Sequence, residues 1–79
     1  MASVLFFAAA RRATGHSSAQ IDGATVDEVL DAAGVRFGKS LRDLLPYCTV
    51  MVDGQSTTDH HVEVTEASEI ALLPPVSGG

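Results

Sequence analysis

The chain closes on Ile70 to Gly79, IALLPPVSGG, and this stretch holds the residues whose types and spacing could do chemistry. Gly78 and Gly79 carry no side chain, so the backbone there can pass through a narrow channel and adopt φ values that other residues avoid. The reactive group at the tip is the α-carboxylate of Gly79. A carboxylate is a poor electrophile until it is activated. Attack on the α-phosphate of ATP would give an acyl-adenylate, which a sulfur or nitrogen nucleophile can open, with no Cβ beside the carbonyl to hinder approach. Pro74 and Pro75 lack backbone donors and have a fixed φ, so they cannot continue a central ladder and favour a preorganised, extended exit. The residues from Pro75 to Gly79 then reach at most about 17 Å beyond Pro74. That reach would let the tip enter another protein while the globule stays outside.

Other residue types offer less. His60 and His61 are adjacent, and in an extended segment adjacent side chains point to opposite faces. With His16 distant in sequence, no tetrahedral ligand set is apparent, and the three are expected at the surface. Cys48 has no CxxC partner and sits in an apolar stretch, which predicts a structural thiol. A glycine-rich phosphate loop is absent, so the nucleotide would sit on an activating partner.

The elements that must position the tail follow from periodicity. SVLFFA (3–8) and IALL (70–73) are apolar on both pleat faces, which predicts central strands. Residues 13–18, ATGHSS, read as a turn, with Gly15 supplying backbone freedom, and 18–22 as a more polar edge strand. Residues 24–34 read as the main helix. Thr25 is its cap, Glu28 is placed for a capping box, Val26, Val29, Leu30 and Ala33 share one face, and Gly34 ends it. A short second helix falls within 37–46, stopped by Pro46. YCTVMV (47–52) predicts a strand, Asp53-Gly54 a tight hairpin, 55–64 a polar return with strand character near its end, and 65–69 a turn. This order fits an α+β, β-grasp (ubiquitin-like) architecture: a mixed five-stranded sheet with one main and one short helix on one face. The expected division is a 1–73 domain and a flexible 74–79 tail. A helix layer covers only one face of such a sheet. Part of the set Phe6, Phe7, Leu72 and Leu73 is therefore expected to form an apolar docking patch beside the tail.

At 79 residues the chain is one domain, and 46% hydrophobic content argues against disorder. The formal net charge of −5 excludes the basic footprint that nucleic-acid or anionic-membrane binding needs. It suits either a basic protein partner or simple solubility. One cysteine permits no internal disulfide. The N-terminal apolar run is short and precedes its basic pair, the wrong order for a secretory signal. A soluble, cytoplasmic protein is expected.

LLPPVSGG resembles the C-terminal signature of the small subunit of molybdopterin synthase (molybdopterin-converting factor subunit 1), within the ubiquitin-like sulfur carriers. VLFFAAARRATG, with Arg11 and Gly15, resembles that family's first strand and turn, ATVDEVL its helix start, and ASEIALLPPVSGG its final turn, strand and tail. Two departures stand out. Glu66-Ala67-Ser68-Glu69 lacks the glycine of the family's usual acidic turn, which implies a different local turn. Arg12 stands where an acid is common, which alters local pairing. The resemblance implies that a ubiquitin-activating-type enzyme adenylates Gly79 using ATP, and that sulfur then replaces AMP to leave a thiocarboxylate. The tail would next enter the large catalytic subunit and give its sulfur to cyclic pyranopterin monophosphate. It further implies a heterotetramer with the large subunit, which holds the catalytic residues. This chain would bind no cofactor or metal and supply no acid or base. Partner contacts are expected at Phe7, Leu73, Pro74, Pro75, Val76, Ser77 and Gly78. Carriers for thiamine or cysteine synthesis, and a ubiquitin-like modifier joined through Gly79, share the activated terminus and remain alternatives. A third alternative is an interaction domain with an inert tail.

Overall fold

The computed structural model describes residues 1–75. Strand β1 (Ala2–Phe6) is followed by α1 (Ala8–Thr14), β2 (Ser18–Ile21), α2 (Val26–Phe37), α3 (Lys39–Leu44), a 3-10 turn (Leu45–Tyr47), β3 (Thr49–Val52), β4 (Gln55–Thr57) and β5 (Glu69–Leu73). The five strands form one sheet in the order β2-β1-β5-β3-β4. β1 and β5 are parallel, with Val4 beside Ile70 and Phe6 beside Leu72. The pairs β1–β2, β3–β5 and β3–β4 are antiparallel. This is the mixed five-stranded β-grasp that the patterning predicts, with the two most apolar strands side by side near its middle.

The pleat sorts the side chains. Val4, Phe6, Ile70, Leu72 and Val50 are buried beneath the helices, where Val26, Val29 and Leu41 meet them. Each such side chain contributes roughly 1.5–3 kcal/mol of apolar burial. Phe6 also meets Phe37 edge to face, with ring centroids 5.3 Å apart, a favoured aromatic geometry. The opposite sheet face carries Leu5, Met51, Ala71 and Leu73, all only partly buried.

The α2 start is as the sequence dictates. Glu28 N–H donates to Thr25 Oγ1 at 3.3 Å, and the Glu28 carboxylate accepts from Ala24 N–H at 3.2 Å. Two further N–H groups of the first turn are satisfied by passing backbone: Val26 donates to Val62 O at 3.0 Å and Asp27 to His60 O at 2.8 Å. The 60–64 segment is thereby tied to the helix, with an isolated bridge at Thr25–Glu63. Strand pairing in the return falls early, at Gln55–Thr57, and not near its end, because those residues lie opposite β3 across the Asp53-Gly54 turn. That turn has positive φ at both residues, 50° and 85°, as a two-residue hairpin connection requires.

Three boundaries differ from the sequence expectation. Residues expected in strand 3–8 and turn 13–18 instead build α1, so three α-helices accompany the sheet. Alanine is the best helix former, and the AAARRAT run obeys that preference once β1 ends at Phe6. Gly15 does adopt φ 75°, but as the helix C-cap, with its N–H donating to Arg11 O at 2.9 Å. α2 runs through Gly34 to Phe37 and ends at Gly38, φ 89°. Gly34 is there for close approach: a Cβ on it would lie 2.7 Å from Cγ of Arg42 on α3. Pro46 sits inside the 3-10 turn, and β3 begins only at Thr49.

Candidate functional site

The site is the end of the sheet from which the tail leaves. Because β1 and β5 are parallel, Phe6 and Leu72 arrive there together. β3 starts at the same end, with Thr49 opposite Leu73. Phe7 N–H donates to Leu72 O at 3.3 Å, which ties the exit of β1 to the root of the tail. The alternation then splits the four apolar residues as expected. Phe6 and Leu72 are core, Leu73 is partly exposed, and Phe7 is 44% exposed. Pro74 is buried and Pro75 exposed. The first ring therefore anchors the tail root against the domain, and the second presents its ring outward. Val76, Ser77, Gly78 and Gly79 lie outside the described residues.

Around that exit the chain places features that patterning missed. After Phe7 the backbone swerves out of the sheet at Ala8, whose φ of 48° is left-handed for an alanine, a conformation costing about 1–2 kcal/mol. The swerve delivers α1, which presents exposed Arg11 and Arg12 beside the tail root. Tyr47, in the 3-10 turn just upstream of β3, is 71% exposed. Helix propensity in AAARRAT could have revealed the first feature. No local signal marks Tyr47 as exposed.

Cys48 follows Tyr47 and is half-buried, and desolvation pushes its thiol above the ordinary value. That depletes the thiolate, in keeping with a packing role. The two adjacent histidines lie in a turn and not in the extended segment expected. His60 Nδ1 lies 3.6 Å from an Asp27 carboxylate oxygen, while His61 is exposed and its N–H donates to Asp59 Oδ1 at 2.9 Å. Among the described residues no group of three or more His, Cys, Asp or Glu is arranged to hold a metal, and no helix is long and apolar enough to cross a membrane. The departing turn before β5 is built from hydroxyls. Ser68 Oγ accepts from Thr65 N–H at 2.9 Å, and Thr65 Oγ1 accepts from Ala67 N–H at 3.2 Å. These bonds hold the turn without a glycine.

The sequence pattern of the ThiS family matches residues 4–79. The chain belongs to the ThiS family, the ubiquitin-like sulfur carriers. Among curated relatives of this ThiS-family chain, the molybdopterin synthase sulfur carrier subunit of Arabidopsis thaliana is 33% identical, with 96% of this chain and 80% of that protein aligned. Among solved structures, SAMP1 of Haloferax volcanii superposes with a TM-score of 0.85 at 26% identity, covering 99% of this chain and 98% of that one. The Amycolatopsis orientalis BexX/CysO complex contains a chain matching at TM-score 0.83 and 25% identity over the full length of both. The complex of subunits 1 and 2 of molybdopterin-converting factor from Helicobacter pylori matches at TM-score 0.70 and 22% identity, covering 99% of this chain and 97% of that chain, a likeness of fold.

Proposed function

We propose that this ThiS-family chain is the sulfur carrier subunit of a molybdopterin synthase. In this reading a ubiquitin-activating-type enzyme in the cytoplasm joins the Gly79 carboxylate to AMP, releasing pyrophosphate from ATP. Sulfur then displaces AMP and leaves a thiocarboxylate. The tail enters the large catalytic subunit, where the thiocarboxylate gives its sulfur to cyclic pyranopterin monophosphate and returns to a carboxylate. This chain contributes delivery and orientation. ATP belongs to the activating partner, and the acids and bases of the transfer to the large subunit. The observation that carries the reading is the kinship to the plant molybdopterin synthase sulfur carrier subunit across most of both lengths. The LLPPVSGG terminus supports it.

A second reading has its own support. The matches to a CysO chain and to SAMP1 favour a carrier for another sulfur pathway, or a modifier joined through Gly79 to lysines. One reconstitution tests all of these. The chain is incubated with its activating enzyme, ATP and a sulfur donor, then weighed and offered cyclic pyranopterin monophosphate together with the large subunit. Exchange of one Gly79 oxygen for sulfur, followed by dithiolene formation, is expected. An unchanged mass overturns the carrier reading. A thiocarboxylate that the large subunit cannot use overturns the pathway. Removal of Gly79 is expected to leave the circular dichroism spectrum intact and to abolish sulfur delivery.

A further inference from the structure

The helix layer carries a crevice that the tail chemistry does not use. It lies between α2 and the stretch from α3 into the 3-10 turn, and its volume is about 380 Å³. Leu30, Gly34 and Leu45 make its apolar floor, with Leu30 and Gly34 buried one turn apart on α2. Gly34 lets the Arg42 stem close one wall directly against the helix, since a Cβ there would lie 2.7 Å from the Arg42 Cγ. The wall on α2 carries Asp31. Both charged residues are exposed, and among the described residues neither forms an ion pair. Val35, one turn beyond Asp31, stands at the lip of the crevice and is 81% exposed. A β-branched side chain lowers helix propensity, and at that exposure Val35 adds nothing to the core. A solitary surface valine is ordinary, but this one borders an apolar recess with room for a side chain like it. The helix layer and the open sheet face with Leu5, Met51, Ala71 and Leu73 lie on opposite sides of the molecule.

We propose that this crevice is a self-association surface on which a second copy of the chain seats as a twofold pair, each Val35 entering the other copy's crevice and each Asp31 meeting the other copy's Arg42. A twofold interface uses one patch twice, so the patch must complement itself. This one does, because a projection stands beside a recess and an acid stands across from a base. Turning one copy over onto another exchanges the members of both sets, which gives two apolar insertions and two ion pairs. A foreign partner would need no such internal match. Arginine suits the contact, since its planar guanidinium forks onto a carboxylate, and withdrawing Val35 from water supplies the apolar drive. The net charge of −5 on each copy opposes close approach, and a single crevice per copy makes a small interface. The pair therefore forms reversibly and depends on concentration. Both open sheet faces and both tail roots stay uncovered in it, so the pairing is independent of the carrier reading.

The test is sedimentation equilibrium of the full chain at concentrations up to about 1 mM. The weight-average mass of the wild type is expected to rise from that of one copy toward that of two. Val35→Asp, at an exposed position that the fold does not need, is expected to weaken the pairing at least about tenfold. Asp31→Arg sets arginine against arginine, and Arg42→Glu sets acid against acid, so each variant alone is expected to lose the dimer. Mixed in equal amounts, these two variants restore both ion pairs across the interface and are expected to associate with each other. Circular dichroism checks that every variant is folded, and Val35→Asp decides the matter without touching the charges. A wild type that stays monomeric throughout, the result if the crevice serves a foreign peptide, overturns the proposal. A dimer that survives Val35→Asp overturns it too, as do charge variants that fail to recover each other in the mixture. None of these outcomes bears on whether Gly79 gains sulfur, which the reconstitution above reads separately.

Discussion

The Cys48 thiol and the tail root sit one strand position apart, yet the protein treats them differently. Cys48 is half-buried and desolvation raises its pKa, so at any pH below that value less of it is thiolate than of a free cysteine. Alkylation by iodoacetamide at pH 8 is therefore expected to be slower than for the unfolded chain in guanidinium. The folded rate should also continue to climb with pH after the unfolded rate has levelled off. Rapid, burial-independent alkylation would instead mark the thiol as reactive. The surroundings of this residue were readable from sequence, because an unpaired cysteine in an apolar stretch has few other uses. The opposite exposure of two adjacent prolines was not. Pro74 is buried and Pro75 exposed, a difference set by where β5 ends relative to its neighbours and not by residue type.

At the scale of elements, hydrophobic period and turn chemistry located the two central strands, the capped helix and the Asp53-Gly54 hairpin. α1 was hidden because Phe6-Phe7-Ala8 continues an apolar run, which reads as strand until the sheet's own length ends it at Phe6. The α2 terminus was obscured because Gly34 resembles a stop while serving as a contact surface for Arg42. A different glycine shows the same kind of constraint more sharply. A Cβ on Gly23 would lie 2.7 Å from the backbone nitrogen of Val29 and 2.6 Å from its side chain. Backbone cannot yield as a flexible side chain can, so Gly23→Ala is expected to destabilise the domain by about 1–3 kcal/mol in urea unfolding. A neutral result would show that the β2–α2 connection has room to move. On the open sheet face, Leu73→Asp is expected to cost the fold about 1 kcal/mol. It should weaken partner binding at least about tenfold, measured by calorimetry against unfolding of the same variant. Loss of the folded state would place Leu73 in the core.

For the molecule as a whole, topology accomplishes what no single segment announces. The sheet order β2-β1-β5-β3-β4 brings residues distant in sequence to one end: Phe7 and α1 from the start, Tyr47 from the middle and Pro75 from the tail. Composition alone, with a formal net charge of −5, suits either a basic partner or simple solubility. The fold places all five cations on the three helices, Arg11 and Arg12 on α1, Arg36 on α2, and Lys39 and Arg42 on α3. The Gly78-Gly79 end can be read without folding, because the proposed chemistry depends on residue type alone. The cluster of Phe7, Tyr47 and Pro75 at one end of the sheet cannot, because it exists only after β1 and β5 are paired.

That pairing also governs how the protein comes into being. β5 is the last strand made, and it lies between β1 and β3. A nascent chain still lacking it can close the β1–β2 and β3–β4 hairpins but has nothing to join them. Joining requires contacts of long sequence separation, which form late and slowly. Two-stranded pairs are marginal alone, so the domain is expected to become one cooperative body only once β5 is inserted between β1 and β3.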